Sequence, residues 1–268
     1  MLKDITLGQF FPGNSPVHRL DPRTKLVLLV VYIVALFMAS GWVAYLVMFT
    51  FLVTTIVVSK IPLQSIVTGM KPLVMILVFT GILNIFFTKG EILLLKVWVI
   101  AIYWEGLVRA FYMVVRIMML ITGTFLLTYT TSPIALTDGL ESLLGPLKKL
   151  KLPVHELAMM MCIALRFIPT LIEETDKIMS AQKARGADFE SGNLLQKVKA
   201  LIPILVPLFI SAFRRADELA TAMESRCYQG GDGRTKMKLL RYSRRDYRAY
   251  LIGILLLTMV ITLSYFGL

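Results

Sequence analysis

The chain has 268 residues, of which 57% are hydrophobic and 17% charged, and it carries a formal net charge of +12 with a mean hydropathy of +0.73. Soluble globular domains lie nearer half apolar and a quarter charged, so this balance excludes a disordered chain, a secreted disulfide scaffold and an ordinary cytosolic enzyme. Cys162 and Cys227 cannot form a disulfide framework, and neither has metal-ligand spacing to another Cys or His.

The first 25 residues lack the compact basic-then-apolar pattern of a cleavable leader and contain Pro12, Pro16 and Pro22. The first long apolar run, Leu26 to Ala39, ends at the turn signal Ser40-Gly41, and a second follows from Trp42 to Ser59. Each is slightly short of the roughly 20 residues a bilayer requires, and the two read as a tight hairpin. A third run covers Pro72 to Phe87, with Asn84 as its one strongly polar interior residue, and a fourth covers Leu107 to Thr131. Between them, Ile92 to Trp104 is apolar but brief. It reads as an interfacial segment whose Trp98, Tyr103 and Trp104 suit the headgroup level. Arg109 and Arg116 stand seven residues apart on one helix face; Arg109 is expected to snorkel, while Arg116 is either paired within the bundle or in contact with a partner or pathway. The last span, Tyr250 to Phe266, contains no charge.

The positive charge is not spread like a nucleic-acid footprint. Residues 1–131 hold ten Lys/Arg and four Asp/Glu, residues 132–248 hold nineteen and thirteen, and the last twenty residues hold none. Arg19, Arg23 and Lys25, then Lys60 and Lys71, then Arg241, Arg244, Arg245 and Arg248 all fall on one side if the first four spans alternate. The positive-inside rule makes that side the cytoplasm, with the N-terminus inside and the C-terminus outside.

Residues 132–248 read as helices of another kind. Ser132 caps a short amphipathic helix with Pro133 in its first turn, and Gly145-Pro146 ends it. Two long helical patterns follow, Val154 to Ala184 and Leu194 to Arg226. Each is apolar in its first half and charged in its second, and Pro169, Pro203 and Pro207 are expected to kink or break them. Each ends in a similar phrase. Ala184-Arg185-Gly186 closes the first and Ser225-Arg226-Cys227 the second, 41 residues on, with Phe189 or Tyr228 soon after. Small neighbours let a helix end enter a groove closely. An arginine in the last turn complements the helix dipole and can fork onto a carboxylate or backbone carbonyls. One such phrase is more simply a C-cap with a solvated arginine; two at the ends of similarly built helices favour an interface.

No catalytic constellation is present. There is no phosphate-binding Gly-x-x-x-x-Gly-Lys-Ser/Thr loop, and Gly230-Gly231-Asp232-Gly233-Arg234 reads as a flexible linker. His155 beside Glu156 reads as a solvated helix end rather than an acid–base pair.

The sequence resembles the transmembrane T component of energy-coupling factor (ECF) transporters over nearly its whole length. The resemblance rests on His18-Arg19-Leu20-Asp21-Pro22-Arg23-Thr24-Lys25, Thr130-Thr131-Ser132-Pro133, Leu165-Arg166-Phe167-Ile168-Pro169, the run from Ala181 to Phe189, and Arg214-Arg215-Ala216-Asp217-Glu218-Leu219-Ala220 with the residues up to Tyr228. It implies an all-α polytopic membrane protein of about five spans, with long cytoplasmic coupling helices between the fourth and last. The segments are an N-terminal membrane domain at 1–131, a mainly cytoplasmic coupling-helix domain at 132–248 and a final span at 249–268. It implies a non-catalytic scaffold in the cell membrane of a bacterium or archaeon. Two ABC-type ATPase subunits, same or different, carry ATP and magnesium; a small substrate-binding membrane subunit binds a vitamin or metal. By resemblance, Ala184, Arg185, Gly186, Ser225, Arg226 and Cys227 dock the ATPases, with Ser and Cys departing from the family's Ala-Arg-Gly in the second motif. The apolar halves of the coupling helices, with Met159, Met160 and Met161, are candidate surfaces for the substrate-binding subunit. The alternatives are an ordinary ABC importer permease lining its own pathway and a membrane-embedded enzyme working through Glu173, Glu174 or Asp176.

Overall fold

A computed structural model describes residues 10–97, 100–151, 153–187, 189, 194–230 and 239–267. The chain divides into two compact units. One comprises Gly8–Gly139 with Leu240–Leu268; the other centres on Leu140–Leu239.

The first unit is built from α1 (Pro22–Met38), α2 (Trp42–Ser59), α3 (Leu63–Met70), α4 (Val74–Phe87), α5 (Trp104–Thr130) and α9 (Arg244–Tyr265). α1 starts because Asp21 accepts from the Arg23 N–H and Pro22 supplies a preset first turn. It stops at the Ser40-Gly41 turn, where Gly41 takes φ +83°. The third apolar run is not one helix from Pro72. α3 precedes it, and a 3-10 turn at Lys71–Leu73 marks the point where Pro72 cannot donate. The segment expected at the interface is a β-hairpin, β1 (Leu93–Val97) against β2 (Ile100–Tyr103), the one departure from helix and turn among the described residues. Trp104 is half exposed at the start of α5; Trp98 lies outside the described residues.

Hydrogen bonds fix the helix directions. The Lys25 ammonium donates to the Thr130 carbonyl at 2.8 Å, and Arg116 reaches the Ala39 carbonyl at 3.3 Å, so α1 and α5 are antiparallel. At one end the Asp21 N–H donates to Asp246 Oδ1 at 2.8 Å, and at the other the Ser264 hydroxyl donates to the Met38 carbonyl at 2.9 Å. α1 and α9 therefore run parallel, and the end of α5 and the starts of α1 and α9 share one face of the unit. Ala35, Leu36, Met48, Tyr129 and Val260 are buried at its centre, while Met75 and Phe87 on α4 are 83% and 80% exposed. An apolar exterior of this kind belongs to a helix bundle whose solvent is lipid.

Arg116 is paired. Its Nε donates to the Tyr45 hydroxyl at 2.8 Å and its guanidinium lies 5.6 Å from the Tyr45 ring centroid. Arg109 is exposed.

The second unit contains most of α6 (Pro133–Leu144, which begins in the first unit), then α7 (Val154–Ala184) and α8 (Leu194–Glu224). The Ser132 hydroxyl accepts from the Ala135 N–H, as expected of the cap. A 3-10 turn at Gly145–Leu150 follows α6. Pro169, Pro203 and Pro207 do not break the long helices, which run through them for 31 residues each. Each proline removes one N–H bond, and the remaining ladder carries the helix on. Among the described residues, five helical segments are long and apolar enough to cross a membrane: α2, Leu63–Phe87, α5, α7 and α9. The number matches the expectation, but the membership differs. α1 has 17 residues, about 25 Å, at the lower limit for a span, whereas α7 qualifies on its apolar first half.

Candidate docking site

Both arginine motifs lie in the second unit at the ends of α7 and α8. The Ala187 N–H donates to the Gln182 carbonyl and the Gly186 N–H to the Lys183 carbonyl, both at 3.0 Å, with Gly186 at φ +86°. This is a Schellman cap, in which the left-handed residue turns the chain so that two orphan carbonyls are satisfied. α8 ends the same way. The Tyr228 N–H donates to the Met223 carbonyl at 3.0 Å and the Cys227 N–H to the Glu224 carbonyl at 2.8 Å, with Cys227 at φ +55°. Arg185 and Arg226 thus occupy the same position in the same cap, the residue before the left-handed one.

A left-handed backbone is uncomfortable for a residue such as Cys227, and the chain adopts it nonetheless. The conformation costs a residue with a Cβ about 1–2 kcal/mol, and two carbonyl hydrogen bonds offset that. Ala184, Arg185, Gly186, Ser225, Arg226 and Cys227 are all exposed. A Cβ added at Gly186 would meet nothing within 4 Å, so the glycine serves its φ and not a crowded neighbour.

α7 and α8 pack through Glu174 and Arg215, whose carboxylate and guanidinium are 2.8 Å apart; the Ser211 hydroxyl also donates to Glu174. Glu174 precedes Arg185 by eleven residues and Arg215 precedes Arg226 by eleven. The helices therefore touch at equivalent positions, the signature of a local two-fold relation. Nine residues connect them, a reach of at most ~36 Å. Parallel helices in this register would need to bridge about 47 Å, so α7 and α8 do not run parallel and their C-terminal arms point different ways. Each arm runs about 16 Å from this contact to its arginine.

The apolar first halves are uncovered within the chain. Leu157, Met160 and Met161 on α7 and Leu205, Phe209 and Phe213 on α8 are 46% exposed or more. His155 is not simply solvated: its Nδ1 lies 3.0 Å from Glu141 Oε1. Among the described residues no group of three His, Cys, Asp or Glu side chains is placed to hold a metal.

One polar cluster escapes a reading of the sequence. In the first unit Asp246 is 1% exposed and accepts from Asp21 N–H, Ser243 N–H and the Ser243 hydroxyl. Lys25, 7% exposed, donates to His18 O, Thr130 O and Thr131 Oγ1. Arg23 forks onto Asp21 and lies over the Tyr242 ring at 4.1 Å. The cluster pins the start of α9 to the start of α1. Its sequence signal is the capping box Ser243-x-x-Asp246 just before the last apolar run.

A lipid-facing helix bundle, in one chain with a packed pair of long helices that end in matched arginine caps, defines a polytopic helical membrane protein. The cobalt transport protein family, CbiQ, matches residues 13–237. The chain is 52% identical over 268 residues, 99% of each chain, to the energy-coupling factor transporter transmembrane protein EcfT of Ruminiclostridium cellulolyticum. It is 56% identical over 257 residues to that of Clostridium kluyveri, covering 96% of this chain and 95% of the relative. With that of Bacillus subtilis it shares 49% over 246 residues, 92% and 93% of the two chains. The chain belongs to the EcfT family, the multi-pass, non-catalytic transmembrane scaffold components of ECF transporters.

Proposed function

We propose that Arg185 and Arg226 each anchor one ATPase subunit, and that α7 and α8 carry the ATPases' opening and closing to a separate substrate-binding membrane subunit. The observation that carries this is the matched pair of exposed arginines in equivalent caps, on helices that touch at equivalent positions. A local two-fold presents the same anchor twice, and a pair of ABC-type ATPases offers two related grooves. ATP and magnesium belong to those partners. The exposed apolar halves of α7 and α8 receive the substrate-binding subunit, and the methionines among them adapt to its surface.

In this reading the membrane domain at 1–131 and the span at 249–268 hold the scaffold in the bilayer, and 132–248 acts from the cytoplasm. A parity argument limits how α7 can meet the membrane. The chain leaves α5 and re-enters α9 on the same face of the first unit. Between those points it makes an even number of crossings. α7 crossing alone is therefore excluded in this reading.

The test is a pull-down from native membranes of wild type, Arg185→Ala, Arg226→Ala and the double variant, with subunits counted by native mass spectrometry. Wild type is expected to bring two ATPases and one small membrane protein, per single copy of this chain. Removing a buried interface arginine commonly costs about 2 kcal/mol or more, so each single variant loses occupancy and the double variant loses both ATPases and coupled transport. Two copies of this chain per complex would favour the permease reading. Unchanged partners in the double variant would return the motifs to plain helix caps.

A further inference from the structure

The first unit contains a cavity of about 340 Å³ between α1, α2, α5 and α9. Its walls include Leu28, Phe51, Leu127 and Ile252, with Lys25 and Thr130 at the end where α1 and α9 begin. Every polar group on the wall whose hydrogen bonds are known is already satisfied. Thr54, Thr55 and Thr130 donate to carbonyls four residues back on their own helices. The Lys25 ammonium is occupied by three oxygens, and the Tyr32 hydroxyl donates to Met119 O at 3.5 Å. A bound water needs two to four free polar partners, and an apolar cavity stays dry. With its donors occupied, the wall favours hydrocarbon over an ion or a polar headgroup. At ~30 Å³ for a water-sized group, the space accommodates on the order of ten methylenes.

Three cations neighbour the wall residues in sequence. Arg19 sits next in the chain to the wall residue Leu20, Lys60 two residues beyond Val58, and Arg248 one residue before Ala249 and four before Ile252. All three are exposed, and none has an ion pair among the described residues. Four-residue spacing puts Arg248 and Ile252 on one helix face. We propose that this cavity is a site for an anionic phospholipid. One acyl chain lies between the four helices, and its phosphate sits on the Arg19, Lys60 and Arg248 rim, in the leaflet on the side where α1 begins. Juxtamembrane cations attract anionic headgroups, and here they neighbour the walls of an apolar slot. The lipid would mortise the α1–α9 pair to α2 and α5, beside the cluster that fixes the start of α9.

The test uses the assembled transporter with phosphatidylglycerol and phosphatidylcholine that share one tail carrying a diazirine. After photolysis, cross-linked peptides are mapped by mass spectrometry. Phosphatidylglycerol is expected to label 126–130 and 249–256 well above α4 (Val74–Phe87), which faces general lipid, and above phosphatidylcholine at the same peptides. Arg19→Gln and Arg248→Gln should each lower that labelling about fivefold, in line with ~1 kcal/mol per cation near the surface. Thr55→Phe fills the cavity and should abolish the cavity labelling while leaving α4 labelled; Leu127→Phe serves if Thr55→Phe does not assemble. Labelling of α4 equal to that of the cavity walls, equal labelling by the two headgroups, or labelling that survives the filling variants would overturn the proposal. None of these outcomes depends on the arginine motifs, so the two proposals fail separately.

Discussion

Cys227 and Gly186 make a matched pair in which only one residue suits its backbone. Both stand left-handed after the capping arginine, at φ +55° and +86°. Cys227→Gly removes the Cβ strain, partly offset by glycine's greater freedom when unfolded, for a net gain of about 0.5–1 kcal/mol at the end of α8. Hydrogen exchange should show slower exchange of the amides from Ser225 to Tyr228 in that variant. Gly186→Ala should speed exchange at the end of α7 by a similar free energy, although it meets no neighbour.

His18 offers a second test at the same scale. Ser15 Oγ lies 2.7 Å from its Nδ1 and Phe11 O lies 3.0 Å from its Nε2, an arrangement that a neutral ring with its proton on Nε2 satisfies. Burial first, and then the Lys25 charge, push its pKa below the ordinary 6.5, against the Phe11 carbonyl. Above pH 6.5 neither state is protonated and stability is flat. Below it the unfolded chain takes up the proton more readily, so stability falls as pH drops toward the lowered value. Protection of the amides of residues 10–20, taken relative to their intrinsic exchange rates at each pH, should fall on acidification from about pH 7.5 to about 5, and His18→Gln should remove that dependence.

At the scale of elements, the Glu174–Arg215 pair is a pivot more than a source of stability. Its side chains are 22% and 37% exposed, and pairs this open contribute about 0.2–1 kcal/mol. Glu174→Ala with Arg215→Ala should therefore leave the thermal midpoint almost unchanged. Spin labels at Ala181 and Ala222, equivalent exposed positions on the two arms, should nonetheless show a broader distance distribution, because the bond locates their contact. The long helices are legible in the sequence because cap, apolar half, charged half and terminal phrase all agree; α7 runs over the expected residues, and α8 ends two residues short only because its last turn is the cap itself. The prolines do not mark breaks, since one missing N–H does not end a helix of 31 residues. The hairpin is hidden for the opposite reason. Leu93–Tyr103 has the β-branched and aromatic content of strands, but Trp98-Val99 stands where a glycine or asparagine turn signal would ordinarily announce one. The Asp21–Asp246 contact joins residues 225 apart, a separation that no local pattern encodes.

For the whole molecule, the decisive quantity is parity. α1 and α9 are held parallel by one bond at each end, Asp21 to Asp246 and Ser264 to Met38. Starting with α1, the chain crosses through α1, α2, α3–α4 and α5, and Lys25 on Thr130 brings the end of α5 back to the starting face. Both ends of the coupling segment then lie on that face, which also carries Arg19, Lys60, Arg244 and Arg248. On the proposed orientation that face is the cytoplasmic one. The chain supplies its own reporter, because Cys227 is exposed beside the second arginine motif. A membrane-impermeant maleimide should label Cys227 in inverted vesicles and not in intact cells. In a Cys162→Ser/Cys227→Ser background, Asn14→Cys, at an exposed position before α1, should label in inverted vesicles, and Gly267→Cys, beyond the end of α9, in intact cells. If Gly267→Cys and Asn14→Cys label from the same side, α1 and α9 are not both spans of one direction. If Cys227 labels from outside, α7 crosses alone and the parallel pairing of α1 with α9 is broken in the membrane.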